Sequence, residues 1–213
     1  MKPDDRTGRQ PQRKRGILRH ARLLDAAAAV LMRTGDATLS LAMIAEEAGV
    51  PLPSVYHFFP NRNAVLASLA TRYHADLAER ARTPLTPPPD RWQDIIRRRQ
   101  ESGVEYLNAN PAALHLFMGA GVSAEVRNLD LQGNASLASV RAQEFRTYFD
   151  CSSLNDLDHW LAVSIGLMDG IWAISWTKHR RIAPEYLEES VNAVVAYLRT
   201  HLPESLPRRK LVE

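Results

Sequence analysis

The stretch Ser40–Phe59 runs SLAMIAEEAGVPLPSVYHFF. Two short helical segments meet in it around one glycine. Leu41 to Ala48 forms the first, with Ser40 as its N-cap, because a Ser hydroxyl accepts a first-turn N–H that has no helical partner. Gly49 ends it, since glycine enters the left-handed backbone of a tight stop without a Cβ penalty. Leu52 to Phe58 forms the second. Ala45 and Ala48 are small enough for two helices to cross closely. Ile44, Val50, Val55 and Phe59 supply the apolar faces that lock the crossing. This is the makeup of a helix-turn-helix, whose second helix must show polar groups outward. Ser54, Tyr56 and His57 are the candidates. An ordinary helical hairpin shares the spacing. Tyr56 and His57 set this one apart, since they stand beside core aromatics on a helix too short to be stable by propensity.

Outward from this stretch the chain reads as helices throughout. Upstream, Leu18, Ala21, Leu24, Ala28 and Leu31 recur at helical spacing over about residues 17–34, and Gly35 stops the run. Downstream, Asn61 caps a helix over 62–82, and the four prolines between Thr83 and Pro89 make a loop. Further helices are expected near 90–109, 111–120, 134–149, 154–178 and 184–200, the last with Pro184 in its first turn. Leu157, Leu161, Ile165, Met168, Ile171 and Trp172 form one broad apolar face. Tyr186, Leu187, Val191, Val194, Val195 and Leu198 form another. Such faces either close a core within the chain or pair with a second copy. The fold class is all-α, of about nine helices. Its divisions are a basic arm (1–16), a helix-turn-helix domain (17–60), a connecting helix (61–82) and a second helical domain (83–213).

Charge sharpens the first division. The chain has 213 residues and a net charge of +3, of which residues 1–16 alone carry +4. Lys2, Arg6, Arg9, Arg13, Lys14 and Arg15 outnumber Asp4 and Asp5 there. A basic arm ahead of a helix is a frequent nucleic-acid device, and a solvated tail without a partner has the same composition. No run of 18 uncharged apolar residues is present, so no membrane span is expected. The basic start lacks an apolar signal core, and the single cysteine, Cys151, excludes an internal disulfide framework. A cytoplasmic location is the simplest expectation.

Enzyme chemistry finds little to work with. The chain holds no G-x-G-x-x-G, G-x-x-x-x-G-K-[ST], H-E-x-x-H or G-x-S-x-G motif. Glu46-Glu47 and Glu188-Glu189 are neighbours in sequence and diverge on a helix. No His, Cys and Asp cluster has metal-ligand spacing, so neither metal nor cofactor is expected.

Ile44-Ala45, Ala48-Gly49-Val50 and Ser54-Val55-Tyr56-His57-Phe58-Phe59, followed by Asn61-Arg62 and Leu66, resemble the N-terminal domain of the tetracycline-repressor (TetR) family. The resemblance is specific over about residues 17–70. Beyond that it rests on helix count and order. It implies a ligand-responsive, sequence-specific transcription regulator, by family default a repressor; an activator and a non-specific architectural DNA binder are the alternatives, with a small helical enzyme well behind them. Ser54 and Tyr56 would meet phosphates, and His57 a phosphate or base edge. Leu52 would face the major groove, where an apolar side chain touches a thymine methyl. Arg62 stands where the family usually has Lys, and Arg13, Lys14, Arg15 and Arg19 would add backbone or minor-groove contacts. Pro51 departs from the family's common Ser or Thr cap. With Pro53 it removes two potential phosphate-facing donors, while both prolines suit a first helical turn.

The same resemblance assigns residues 83–213 to effector binding and dimerisation. The last two helices (154–178 and 184–200) would pair with their copies, so that a homodimer reads two half-sites of a double-stranded, near-palindromic operator. A small-molecule effector would bind in the helical core. Its candidate contacts are Trp92, Tyr106, His115, Phe117, Met118, Asp169, Trp172 and Trp176, most of which also suit simple packing.

Overall fold

The computed structural model describes residues 14–35, 38–119 and 123–209. Nine helices appear among them: α1 (Lys14–Thr34), α2 (Leu41–Ala48), α3 (Leu52–Phe58), α4 (Arg62–Arg82), α5 (Trp92–Ala109), α6 (Pro111–Met118), α7 (Ala124–Tyr148), α8 (Leu157–His179) and α9 (Pro184–Arg199). No β-strand occurs among the described residues; one isolated antiparallel bridge pairs Phe149 with Arg208. The all-α expectation is met. The helices gather into two compact units. One comprises the chain up to Tyr73 with Pro111–Asp130, the other His74–Asn110 with the chain from Leu131 onward. The division falls within α4 and within α7.

The first unit is organised by α1. Its apolar stripe buries Leu23, Leu24, Ala27, Val30 and Leu31, and α2 and α6 pack against it. Ile44 of α2, Val55 of α3, Phe59, and Val65, Leu66 and Leu69 of α4 are all buried. From α6 come Ala113, Leu114 and Phe117, the last edge-on to Tyr73 at 6.4 Å between ring centroids. A short helix such as α3 gains its stability from this burial and not from its own hydrogen bonds.

The second unit is built around Trp92, Ile95, Phe145, Phe149, Leu157, Leu161, Val194 and Leu198. The Trp92 indole N–H donates to the Pro203 carbonyl at 2.9 Å, so its one polar atom is satisfied inside the core. Within this unit Arg99, Glu144 and Arg141 form a buried ion cluster. Arg99 Nε donates to Glu144 at 2.9 Å, and Arg141 lies 3.3 Å from the same carboxylate. Arg99 also donates to the carbonyls of Arg80 (2.9 Å) and Thr83 (2.6 Å), where a cation complements the helix C-terminus. Burial pushes the Arg141 guanidinium down to about 10, with Glu144 opposing that shift and Arg99 adding to it.

Several helix starts differ from the sequence expectation, α1 beginning at Lys14 instead of about 17 and α5 at Trp92 instead of about 90. Helix α7 begins at Ala124, ten residues before the expected 134. Gly133-Asn134 reads as a stop, yet Gly133 lies inside the helix because the His74 ring rests on it: a Cβ there would sit 2.3 Å from His74 Nδ1. Helix α8 begins at Leu157 instead of 154, with Leu154 buried in the preceding loop.

Helix α8 also carries more apolar surface than its own unit covers. Leu157, Leu161 and Trp172 are buried, and Ile165 and Met168 pack partly on the core. Val163, Leu167 and Ile174, at 38%, 39% and 51% exposure, stand on solvent together with Gly166 and Gly170. An α-helix that is apolar on more than one face is expected to be covered on more than one face.

Candidate nucleic-acid interface

The turn between α2 and α3 is fixed by backbone and cap geometry. Ser40 Oγ accepts from Met43 N at 3.2 Å, the N-cap bond its position requires. Gly49 takes φ 62° and ψ 40°. Its N–H donates to the Glu46 carbonyl at 3.1 Å, and Val50 N–H to the Ala45 carbonyl at 3.0 Å. This pair of bonds is a Schellman stop, which satisfies two helix-end carbonyls and turns the chain sharply. Ala45 and Ala48 are buried at the crossing, as are Ile44, Val55, Phe58 and Phe59. The turn is held from α1 as well. The Arg22 guanidinium donates to the Ala48 carbonyl at 3.2 Å and Arg33 pairs with Glu47 at 3.0 Å. Arg22 has no signal in sequence as a cap, because its partner lies 26 residues away.

α3 has no side-chain cap: Pro51 occupies that place with φ −61°, and only its carbonyl takes part, accepting from Ser54 N at 2.8 Å. Pro51, Pro53, Tyr56 and His57 are exposed, and Leu52 and Ser54 are half-buried. Asn61 caps α4 by accepting from Ala64 N at 2.9 Å, which sets Arg62 in the first turn, half-buried. Lys14, Arg15 and Arg19 are exposed on the first turns of α1. Arg13 lies outside the described residues. The exposed sequence candidates of the first unit therefore lie on α3 and α1, with Arg62 half-buried on α4.

His20 of α1 packs on the aromatic residues at the end of α3. Its ring lies 5.1 Å from Phe59 and 5.8 Å, edge-on, from Phe58. Nε2 is buried with no hydrogen-bond partner among the described residues. Burial, with the Arg72 charge second, lowers its pKa below the usual 6.5. Arg72 is itself paired with Asp25 at 2.6 Å.

The eight effector candidates fall in both units. His115, Phe117 and Met118 belong to the first; Trp92, Tyr106, Asp169, Trp172 and Trp176 to the second. Several already have partners. The Tyr106 hydroxyl donates to Asp76 at 2.7 Å, Asn134 donates to Asp169 at 2.6 Å, and the Trp172 indole donates to Ser190 at 3.0 Å. The Arg180 guanidinium lies over Trp176 at 5.6 Å. A cavity of about 710 Å3 in the second unit is lined by none of them. Its walls include Arg146, Phe149, Cys151, Asn155 and Arg208. Among the described residues no group of three or more His, Cys, Asp and Glu side chains could hold a metal ion.

A helix-turn-helix on a chain that is helical in both its units defines a fold class, an all-α chain with a helix-turn-helix in its first unit. Residues 23–69 match the family model described as bacterial regulatory proteins, tetR family. Solved structures agree at the level of fold. A TetR-family transcriptional regulator from Streptomyces coelicolor is similar at 23% identity and a TM-score of 0.65, over 86% of this chain and 99% of that one. SmeT, the repressor of the Stenotrophomonas maltophilia multidrug efflux pump SmeDEF, is similar at 17% identity and 0.63, over 91% and 97%. The fatty acid degradation regulator FadR from Bacillus halodurans is similar at 16% identity and 0.67, over 87% and 96%. No curated protein matches the chain. Residues 23–69 are thus a tetR-family N-terminal domain, and the chain has the TetR-like fold.

Proposed function

We propose that this chain is a DNA-binding transcription regulator, a non-enzymatic homodimer that represses from a near-palindromic operator and leaves it when a small molecule binds. The observation that carries the reading is the exposed α3, held by the Schellman turn at Gly49, in a unit that also carries Lys14, Arg15, Arg19 and Arg62. These cations supply sequence-independent attraction to phosphates, and α3 supplies the surface that enters the major groove. Tyr56 hydroxyl and Ser54 meet phosphates, and His57 a phosphate or base edge.

The homodimer is supported by the second apolar face of α8. A two-fold packing of α8 and α9 on their copies would cover Val163, Leu167 and Ile174, and Gly166 and Gly170 would let two α8 backbones approach closely. Effector release follows from a two-state shift, in which a ligand binds the DNA-free arrangement better than the DNA-bound one. No helix among the described residues is long and apolar enough to cross a membrane; the working location proposed is the cytoplasm.

Footprinting on the DNA upstream of the chain's own gene tests the reading. A protected, two-fold symmetric site of two half-sites about one helical turn apart is expected. Uniform, salt-sensitive coverage without a boundary would instead favour an architectural binder.

A further inference from the structure

The cavity of about 710 Å3 in the second unit has a wall chemistry of its own. Two stretches of chain build it, the turn after α7 and the residues 208 and 209. Backbone bonds tie them together. Asp150 N–H donates to the Pro207 carbonyl at 2.8 Å, Arg209 N–H donates to the Tyr148 carbonyl at 2.9 Å, and Phe149 pairs with Arg208 in the isolated bridge. Asp150 Oδ1 accepts from Ser152 N at 3.0 Å and closes the turn. Walls set by main-chain bonds lower the ordering cost of taking up a guest. Phe149, Cys151 and Leu154 are buried and give the cavity its apolar lining.

The polar lining is rich in donors and poor in acceptors. It includes Arg146, Arg208 and Arg209, and a guanidinium carries N–H donors only. Arg208 Nη1 donates to Asp90 at 2.8 Å and Arg146 pairs with Asp158. Both of those acids stand outside the lining, and both pairs are too exposed to hold a guanidinium strongly against another anion. Arg209 Nη1 has a carbonyl as its partner, that of Arg146 at 2.9 Å. Asp150 is the acid of the lining, and its carboxyl is held below the usual range by the bonds from Ser152. Against three guanidiniums it leaves the lining cationic.

Donors without acceptors suit a guest that only accepts. A carboxylate offers two such oxygens and a phosphate monoester three, and guanidiniums from two stretches of chain match the larger number. The cavity also falls within the roughly 300–1,000 Å3 typical of small-molecule sites, far more than a bare phosphate ion fills. We propose that this cavity binds a small organic phosphate, with its phosphate oxygens on Arg146, Arg208 and Arg209 and its carbon part on Phe149 and Leu154. None of the eight effector candidates lines it, so it is a second ligand site of the chain. It goes beyond the regulator reading and stands or falls without it, because binding is measured in the absence of DNA.

The experiment titrates phenyl phosphate into the full-length protein by calorimetry, with phenol and inorganic phosphate as partial probes. Saturable binding of one phenyl phosphate per chain is expected. Inorganic phosphate should bind about tenfold more weakly for want of the ring, and phenol should not bind. Arg209→Gln should weaken phenyl phosphate about tenfold, the worth of one charge-assisted contact, with the far-ultraviolet helical signal unchanged. Arg97→Gln removes a cation of the same unit that lies outside the cavity lining, and should leave binding as it is. No saturation by phenyl phosphate, equal binding by the native protein and Arg209→Gln, or an equal loss in Arg97→Gln each overturns the proposal. The DNA backbone carries the same phosphate groups, so an unselected duplex is titrated in parallel. A defect of Arg209→Gln with the duplex and none with phenyl phosphate would assign the arginine to DNA and overturn the proposal as well.

Discussion

The helix-turn-helix of the first unit and the paired helices α8 and α9 of the second specify their structures by opposite means. In the first, almost every determinant is local. Ser40 caps α2, Gly49 turns it, Asn61 caps α4, and each bond spans three to five residues. In the second, the determinants are distant or external. Ser190 of α9 donates to Gln100, 90 residues away, and Val163, Leu167 and Ile174 of α8 are left on solvent. Local signals fix a small head that must present α3 at one angle. Distant and intermolecular contacts leave the rest of the chain free to differ between relatives that share a fold at 16–23% identity.

The largest effect expected from this contrast comes from the uncovered face. Ile174→Glu changes a side chain that is half exposed in the single chain, so helicity should be unchanged. Buried against a second copy, the same charge would prevent pairing. Sedimentation should then show a monomer, with operator binding weakened by more than tenfold. A variant that remains dimeric would place the interface elsewhere.

Next is the buried ion cluster. Glu144→Ala leaves Arg99 and Arg141 without their shared anion, with the Arg99 side chain 7% exposed. Breaking one partner out of such a cluster costs about 3–5 kcal/mol. Chemical denaturation should show it as a lower midpoint. A loss below about 1 kcal/mol would mean that water replaces the carboxylate.

The turn itself should respond less. At Gly49 a Cβ would meet nothing within 4 Å, so Gly49→Ala carries no steric clash and only the left-handed backbone penalty, about 1–2 kcal/mol. Thermal unfolding checks the size. A loss near 4 kcal/mol would show that the turn is also closely packed in the folded head.

The smallest effect concerns pH. His20 has a depressed pKa in the folded head, so the unfolded chain takes up its proton first. Its contribution to stability is fully present above about pH 6.5 and is lost as pH falls through the lower folded value. A nuclear magnetic resonance titration should place the His20 midpoint below 6.5 in the native protein. A midpoint at or above 6.5 would remove this dependence.

Much of the first unit could be read from sequence, because its rules are the cap and turn rules of short segments. The bounds of α2, α3 and α4 follow from Ser40, Gly49, Pro51, Asn61 and the proline run after Thr83. The start of α7 could not be read. Gly133-Asn134 carries the composition of a stop, and only the His74 ring, 59 residues upstream in sequence, explains a glycine inside the helix. Arg22 at the Ala48 carbonyl and Arg99 at the end of α4 were invisible for the same reason. The effector contacts were the least legible part. Aromatic residues on helices mark a core as readily as a pocket, and Trp92 and Trp172 each have their indole N–H already bonded.

Contact of α3 and the start of α4 with DNA can be measured by a salt titration. Operator affinity is measured at several salt concentrations for the native protein, Tyr56→Phe and Arg62→Ala. Weaker binding is expected for both without loss of fold, and for Arg62→Ala a salt dependence shallower by about one unit of slope, the signature of one lost phosphate contact. Unchanged affinity and slope in both variants would contradict it.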